Sequence, residues 1–440
     1  MFIYAGRCLI LASICSFYVI EPSSWKSSSC FQQTHSATAF LVKQSPLSQH
    51  RRQVVAVDTG FKEGSQTCGG VLKGTAFEEM ETFVFLFSFS ALGILYAMNS
   101  IPAFQEPYVI LEIGVAVLVV VFLFYFLITR GNPPKDVLFF VFAVFSFTCV
   151  IDLGEPYLGT PYAIMMCYWD GIVHFIMYLV MISRITDRKG YRSLGLIWAG
   201  SLCANMSVFI AGIVAGKYGS EIRPAFWINF LFLLMPVWGA ITLFTRPKDR
   251  PLIGGYNAQQ AQSMKLIWRP TDLILVVLLI AAMAFTAIRG LVALDSPLEA
   301  CSIYVKHYEP YLKDPVGYPR VMMLHLFFYG LPLLGAFVYG LLKPGCTWMS
   351  DWTLFLAGAM IQCQWAHIGG SLHPRTTAQF RIPNGVFWSV LVANLLYAGT
   401  PILVALRVCN NPYFFLKIAP FPGQTGLPNS EEKDTKIKDK

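Results

Sequence analysis

From Thr82 to Leu406 long apolar runs alternate with short breaks rich in Pro, Gly or charge. Ten runs can be delimited, at 82–101, 109–128, 137–153, 162–182, 194–215, 225–244, 272–293, 319–342, 352–371 and 386–406. An apolar stretch of about 18 residues or more is a candidate membrane-spanning helix, and several of these runs reach that length. Breaks such as Gly131-Asn132-Pro133-Pro134 and Arg246-Pro247-Lys248-Asp249-Arg250-Pro251 end helices because Pro and Gly interrupt the backbone ladder. The pattern predicts an all-α polytopic membrane protein of ten transmembrane helices. The third run is short and ends at Asp152-Leu153, followed closely by the fourth.

Composition agrees. The chain is 55% hydrophobic and only 13% charged, with a mean hydropathy of +0.54, whereas soluble domains carry roughly 25% charged residues. The net charge of +8 is spread over loops and tail, with no basic patch interleaved with aromatics, so no nucleic-acid partner is expected. The loops after the even-numbered spans carry twelve Arg and Lys, and those after the odd-numbered spans six. The positive-inside rule then places both termini in the cytosol. Eleven cysteines occur without a CxxC pair or metal-ligand spacing, so neither a metal site nor a disulfide framework is expected, and nothing calls for a cofactor.

Residues 1–80 differ from the rest. Phe2 to Ile20 is apolar with Arg7 near its start, as in a targeting segment or anchor. Pro22 to Gly74 is polar and aperiodic, which predicts disorder. The preferred reading is a segment upstream of a natural start at Met80, where the sequence opens directly into a span. At the other end, residues 408–440 form a tail, expected in the cytosol. Its Lys436 and Lys438, fifth and third from the end, fit a dilysine endoplasmic-reticulum retrieval signal.

The most informative feature is an internal repeat. Glu155-Pro-Tyr-Leu158 recurs as Glu309-Pro-Tyr-Leu312, and each leads into a span entered by a Met pair, Met165-Met166 or Met322-Met323. Arg223, Phe226-Trp227, Asn229 and Pro236 recur in order as Arg381, Phe387-Trp388, Asn394 and Pro401. The expected organisation is two introductory helices over 82–130, then four-helix units over 135–245 and 270–407. Both units carry polar residues at membrane depth: Asp170, His174, Asn205 and Asn229 in the first, and Arg289, His325, Gln362, Gln364, His367 and Asn394 in the second. Intramembrane polar groups line bundle interiors or cavities, or join helices by hydrogen bonds. Asp170 and His174, four apart, share a helix face.

With these residues in hand, the tandem units resemble the EXPERA domains shared with the emopamil-binding sterol isomerase. The segment from Met80 to Phe415 resembles the transmembrane 6 superfamily. The resemblance rests on Phe142-Ala-Val-Phe-Ser-Phe-Thr148, Cys167-Tyr-Trp-Asp-Gly171 with His174, Gly216-Lys-Tyr-Gly-Ser-Glu-Ile-Arg-Pro-Ala-Phe226, Arg289-Gly-Leu-Val-Ala-Leu-Asp295 and Tyr308-Glu-Pro-Tyr-Leu-Lys-Asp-Pro315. Ser220-Glu-Ile-Arg-Pro224 favours one branch of that family. The resemblance implies residence in the endoplasmic reticulum and the intermediate compartment toward the Golgi. It also implies neutral-lipid and cholesterol handling with lipid loading of secreted lipoproteins, and hence lipids, sterols and lipoprotein-assembly proteins as partners. Three departures stand out. The first 79 residues have no counterpart, roughly twenty residues are missing between Asp152 and Glu155, and Ser296 stands where a cysteine is expected.

Two functions follow. In the first, the bundle binds sterol or lipid through Trp169, Asp170, His174, Asn205, Asn229, His325, Gln364, His367 and Asn394. In the second, Asp170 and His174 are the acid and base of a sterol isomerase-like proton shuttle beside Trp169. Aligned on the Met pairs, Asp170 falls opposite Phe327 and His174 opposite Leu331, so any such chemistry belongs to the first unit alone. A transporter has the repeat in its favour, but the sequence shows no paired Gly/Pro breaks at matching positions.

Overall fold

In lipid every backbone polar group must be paired internally, so a spanning segment folds as a helix. The structure, a computed structural model, describes residues 80–153, 159–247 and 255–417. The N-terminal extension, the Glu155–Leu158 motif, and Lys436 and Lys438 lie outside the described residues.

All ten predicted runs are helical: α1 (Met80–Ser100), α2 (Pro107–Thr129), α3 (Leu138–Leu153), α4 (Pro161–Thr186), α5 (Arg192–Ala215) and α6 (Pro224–Thr245), then α8 (Pro270–Ala293), α10 (Tyr318–Leu342), α11 (Met349–Leu372) and α12 (Phe387–Asn410). The short helices α7 (Gly255–Ser263) and α9 (Glu299–His307) fill two connections. Eight helices are long and apolar enough to cross a membrane among the described residues. The other two of the ten are α3, only 16 residues long, and α11, which carries Asp351, Gln362, Gln364 and His367. Prolines open α2, α4 and α8, where the missing N–H has no helical partner to lose.

Burial ranks the helices. Two thirds (67%) of the α5 span is buried, against 11% of α2, so α5 is central and α2 faces lipid. α5 packs along α11, and each also crosses into the other unit, α5 against α10 and α11 against α4. The close approach depends on two glycines. A Cβ on Gly200 would lie 1.9 Å from the Phe355 carbonyl oxygen, and one on Gly358 would lie 2.0 Å from that of Ile197. Such reciprocal small-residue contacts let backbones touch where lipid supplies no hydrophobic drive.

Features of the structure recur at a fixed offset. Arg192 and Met349, which open α5 and α11, are 157 positions apart, as are Trp169 and Leu326, which open a π turn inside α4 and α10. No paired Gly/Pro breaks mark the chain there, yet the widened turns Trp169–His174 and Leu326–Gly330 occupy matching places. They leave the helices continuous, which is why no paired breaking residues announce them.

A second equivalence lies at the basic end of the bundle. Before α3, Asp136 accepts from Arg246 Nη1 and Nη2 at 2.6 and 2.7 Å, just beyond the end of α6. In the first turn of α8, Asp272 accepts from Arg407 Nε and Nη2 at 2.6 and 3.0 Å, in the last turn of α12. Each four-helix unit is thus clasped from its first helix to its last by a two-pronged carboxylate–guanidinium pair. Burial alone would raise the Asp136 carboxyl, but Arg246 and Tyr191 hold it below its ordinary value. Arg192 and Asp351, 2.5 Å apart, tie the two units together at the same end.

Candidate functional site

Trp169 and His174 are five apart, and on an α-helix of 3.6 residues per turn they would diverge. The π turn between them swings both rings toward Ser201 on α5. Trp169 Nε1 donates to Ser201 Oγ at 2.9 Å, and that hydroxyl lies 2.8 Å from His174 Nε2. On the other side of the ring, His174 Nδ1 is 2.5 Å from Asp170 Oδ1. Asn205 Nδ2 donates to Asp170 Oδ2 at 3.0 Å, and Gln362 Nε2 on α11 donates to Asn205 Oδ1 at 2.6 Å. Every donor finds an acceptor when the His174 proton sits on Nδ1, a tautomer assigned from this network. His174 and Asn205 are fully buried, and Ser201 and Asp170 nearly so.

Only one member of this chain reaches open space. Asp170 lines a cavity of about 70 Å³, with Phe145, Thr148, Asp152, Asn229 and Phe232 among the other walls. His174, Ser201 and Trp169 stand behind it. The pair predicted from helix spacing therefore forms, with the carboxylate toward the cavity and the imidazole orienting it. Asn229 joins the cavity wall, its Nδ2 also donating to the Phe226 carbonyl at 3.0 Å.

The second unit assembles a different centre. Arg289 on α8 donates from Nε to Glu309 Oε2 at 2.9 Å and from Nη2 to both Glu309 Oε1 and Asn394 Oδ1, the last at 2.6 Å. Asn394 Nδ2 and Tyr304 Oη each donate to Glu309 at 2.7 Å. Gln364 Oε1 lies 3.4 Å from Arg289 Nη1, His367 Nε2 lies 3.6 Å from Glu309, and the guanidinium stacks 3.9 Å from the Phe285 ring. Arg289 and Glu309 are only 1% and 2% exposed, so the cluster is closed on itself. Burial would raise the Glu309 carboxyl, but Arg289 and His367 outweigh it and hold it well below the usual range.

Gln364, His367 and Asn394 thus converge around Arg289 and Glu309. His325 stands apart: it is half-buried, 3.4 Å from Ser207 Oγ, with its ring against Tyr329. Ser201 and Tyr304 escaped the sequence reading, since a single hydroxyl, in an apolar run or in a connection between runs, carries no signal. Glu309 carried one, its place in the repeated Glu-Pro-Tyr-Leu, which marked a repeat but not a charge turned inward. Among the described residues no three His, Cys, Asp or Glu side chains are placed to hold a metal ion.

Ten apolar helices around two buried polar centres define a polytopic α-helical membrane protein. The family model "Transmembrane 6 superfamily member 2-like, transmembrane domain" matches residues 90–153 and 154–254. The chain is 42% identical over 353 residues to the rat protein (Rattus norvegicus) named transmembrane 6 superfamily member 2, covering 76% of this chain and 93% of the relative. It is 40% identical over 369 residues to the mouse protein (Mus musculus) of that name, covering 79% and 96%, and 42% identical over 348 residues to the human one (Homo sapiens), covering 74% and 92%. The chain belongs to the transmembrane 6 superfamily. No solved structure matches it.

Proposed function

We propose that this protein is a lipid-handling protein of the endoplasmic-reticulum membrane and the intermediate compartment, binding sterol or acyl lipid within its helical bundle. In that role it supports neutral-lipid and cholesterol handling and the lipid loading of secreted lipoproteins, with its termini in the cytosol and lipoprotein-assembly proteins as partners. The observation that carries the binding reading is the placement of Asp170: a buried carboxylate, steadied by His174 and Asn205, forms the wall of a small cavity among apolar helices. A carboxylate held this way accepts a hydrogen bond from a ligand hydroxyl without itself moving. Depletion should lower neutral-lipid secretion, and re-expression of the wild type should restore it where Asp170→Asn with His174→Ala does not. Full restoration by the double variant would remove the site from the function.

A second reading, a sterol isomerase-like activity, is favoured by one feature: two carboxylates, Asp152 and Asp170, line the same cavity, as an acid and a base would need. Its test is expression in cells lacking the isomerase. Conversion by the wild type and not by Asp170→Asn supports it, and no conversion by the wild type ends it.

A further inference from the structure

Beside the Asp170 cavity lies a larger space that the reading above leaves unused. α2, α3 and α6 frame a groove of about 810 Å³, walled by residues that include Leu118, Phe122, Phe140, Leu231, Met235 and Trp238. All its lining side chains are apolar. Its outer rim faces the bilayer, for Val119, Leu123 and Leu231 on the lining are exposed. One residue belongs to both spaces. Phe145 lines the groove on one side and the Asp170 cavity on the other, its ring 5.0 Å from that of Phe232 and 6.1 Å from that of Tyr178.

The two spaces differ in what they accept. The groove falls within the roughly 300–1,000 Å³ of ordinary ligand sites and offers rings and branched chains only. The cavity behind Phe145, about 70 Å³, is far smaller and is walled by two carboxylates. A phosphate head would be repelled by them, whereas an uncharged hydroxyl is not and can donate to Asp170. A rigid apolar body loses little freedom on seating in such a groove.

Resting on the lipid-binding reading, we propose that this groove seats the apolar body of a sterol, whose hydroxyl passes the Phe145 ring to reach Asp170. The ligand then enters sideways from the bilayer, between α2 and the first four-helix unit.

The test uses the full-length protein in phosphatidylcholine nanodiscs with a photoactivatable sterol carrying its diazirine on the ring system. Labelling should saturate, map to peptides of α2, α3 and α6, and be displaced by unlabelled sterol but not by added phosphatidylcholine. Leu231→Trp fills the groove from its lipid side, where a larger ring meets no core, and should cut labelling about tenfold with unchanged size-exclusion behaviour. The 3-O-methyl ether, which has no proton to donate, should compete about tenfold worse than the sterol, and Asp170→Leu, which removes the acceptor, should abolish that difference. Saturable labelling mapped elsewhere overturns the groove and leaves lipid binding standing. Equal competition by the methyl ether overturns the hydroxyl contact. No saturable labelling by this sterol overturns the proposal, and if an acyl-lipid photoprobe also fails to saturate, the binding reading falls with it.

Discussion

Asn205 and Gln362, at the same position of the two repeated units, meet each other: Gln362 Nε2 donates to Asn205 Oδ1 at 2.6 Å. The pair sits at the seam between α5 and α11 and extends the Asp170 chain into the second unit.

Removing either partner should weaken the bundle unequally. Gln362→Leu removes one interhelical bond, worth about 0.6 kcal/mol in membranes. Asn205→Leu also strips a donor from the buried Asp170, so it should cost a further 1–3 kcal/mol or so. Thermal unfolding in detergent should rank Asn205→Leu clearly below Gln362→Leu, and equal effects would contradict the chain.

The seam also depends on its two glycines. Gly200→Val or Gly358→Val drives a side chain into a facing backbone carbonyl that has no rotamer to escape by. Either should abolish recovery of monodisperse protein from membranes, while Gly399→Ala, with nothing within 4 Å of its new Cβ, should leave it unchanged.

The clasps at the basic end should differ in weight. Asp136 is partly exposed and pairs mainly with Arg246 and Tyr191, whereas Asp272 is fully buried and serves both Arg269 and Arg407. Asp272→Ala strands two guanidiniums, and breaking a buried pair costs about 3–5 kcal/mol. Asp136→Ala should cost about 1 kcal/mol. Melting temperatures of the two variants check the order.

Glu309 sets a pH dependence. Its native carboxyl lies well below the ordinary value, so its contribution is present above the unfolded value, about 4.3, and is lost only as pH falls through the lower native one. Hydrogen-exchange protection over residues 299–314, taken relative to the intrinsic rate at each pH, should therefore stay flat from about pH 7 down to pH 4.5. Glu309→Gln should lower that protection across the range, because Arg289 loses its counter-charge.

The ten helices, eight of them long and apolar enough to cross a membrane among the described residues, were legible because lipid demands long apolar helices and leaves them visible as runs. So was the Asp170–His174 pair, because a spacing of four puts two residues on one helical face. Ser201 was not legible, since it joins the pair only after α5 packs beside the π turn of α4. Glu309 was visible as a repeated motif, but its partner Arg289 lies 20 positions away, and only the folding of α9 back onto α8 brings them together.

By itself, then, the sequence determined the class of the protein, the places of its ten main helices and the motifs that recur along it. These follow from hydropathy and self-similarity, which are properties of the chain read in order. Tertiary structure decided which polar groups face a cavity and which face one another: Asp170 opens onto space, while Arg289 and Glu309 close upon themselves. That division depends on helix rotation and on glycine-limited distances between helices, and neither is written in any single segment.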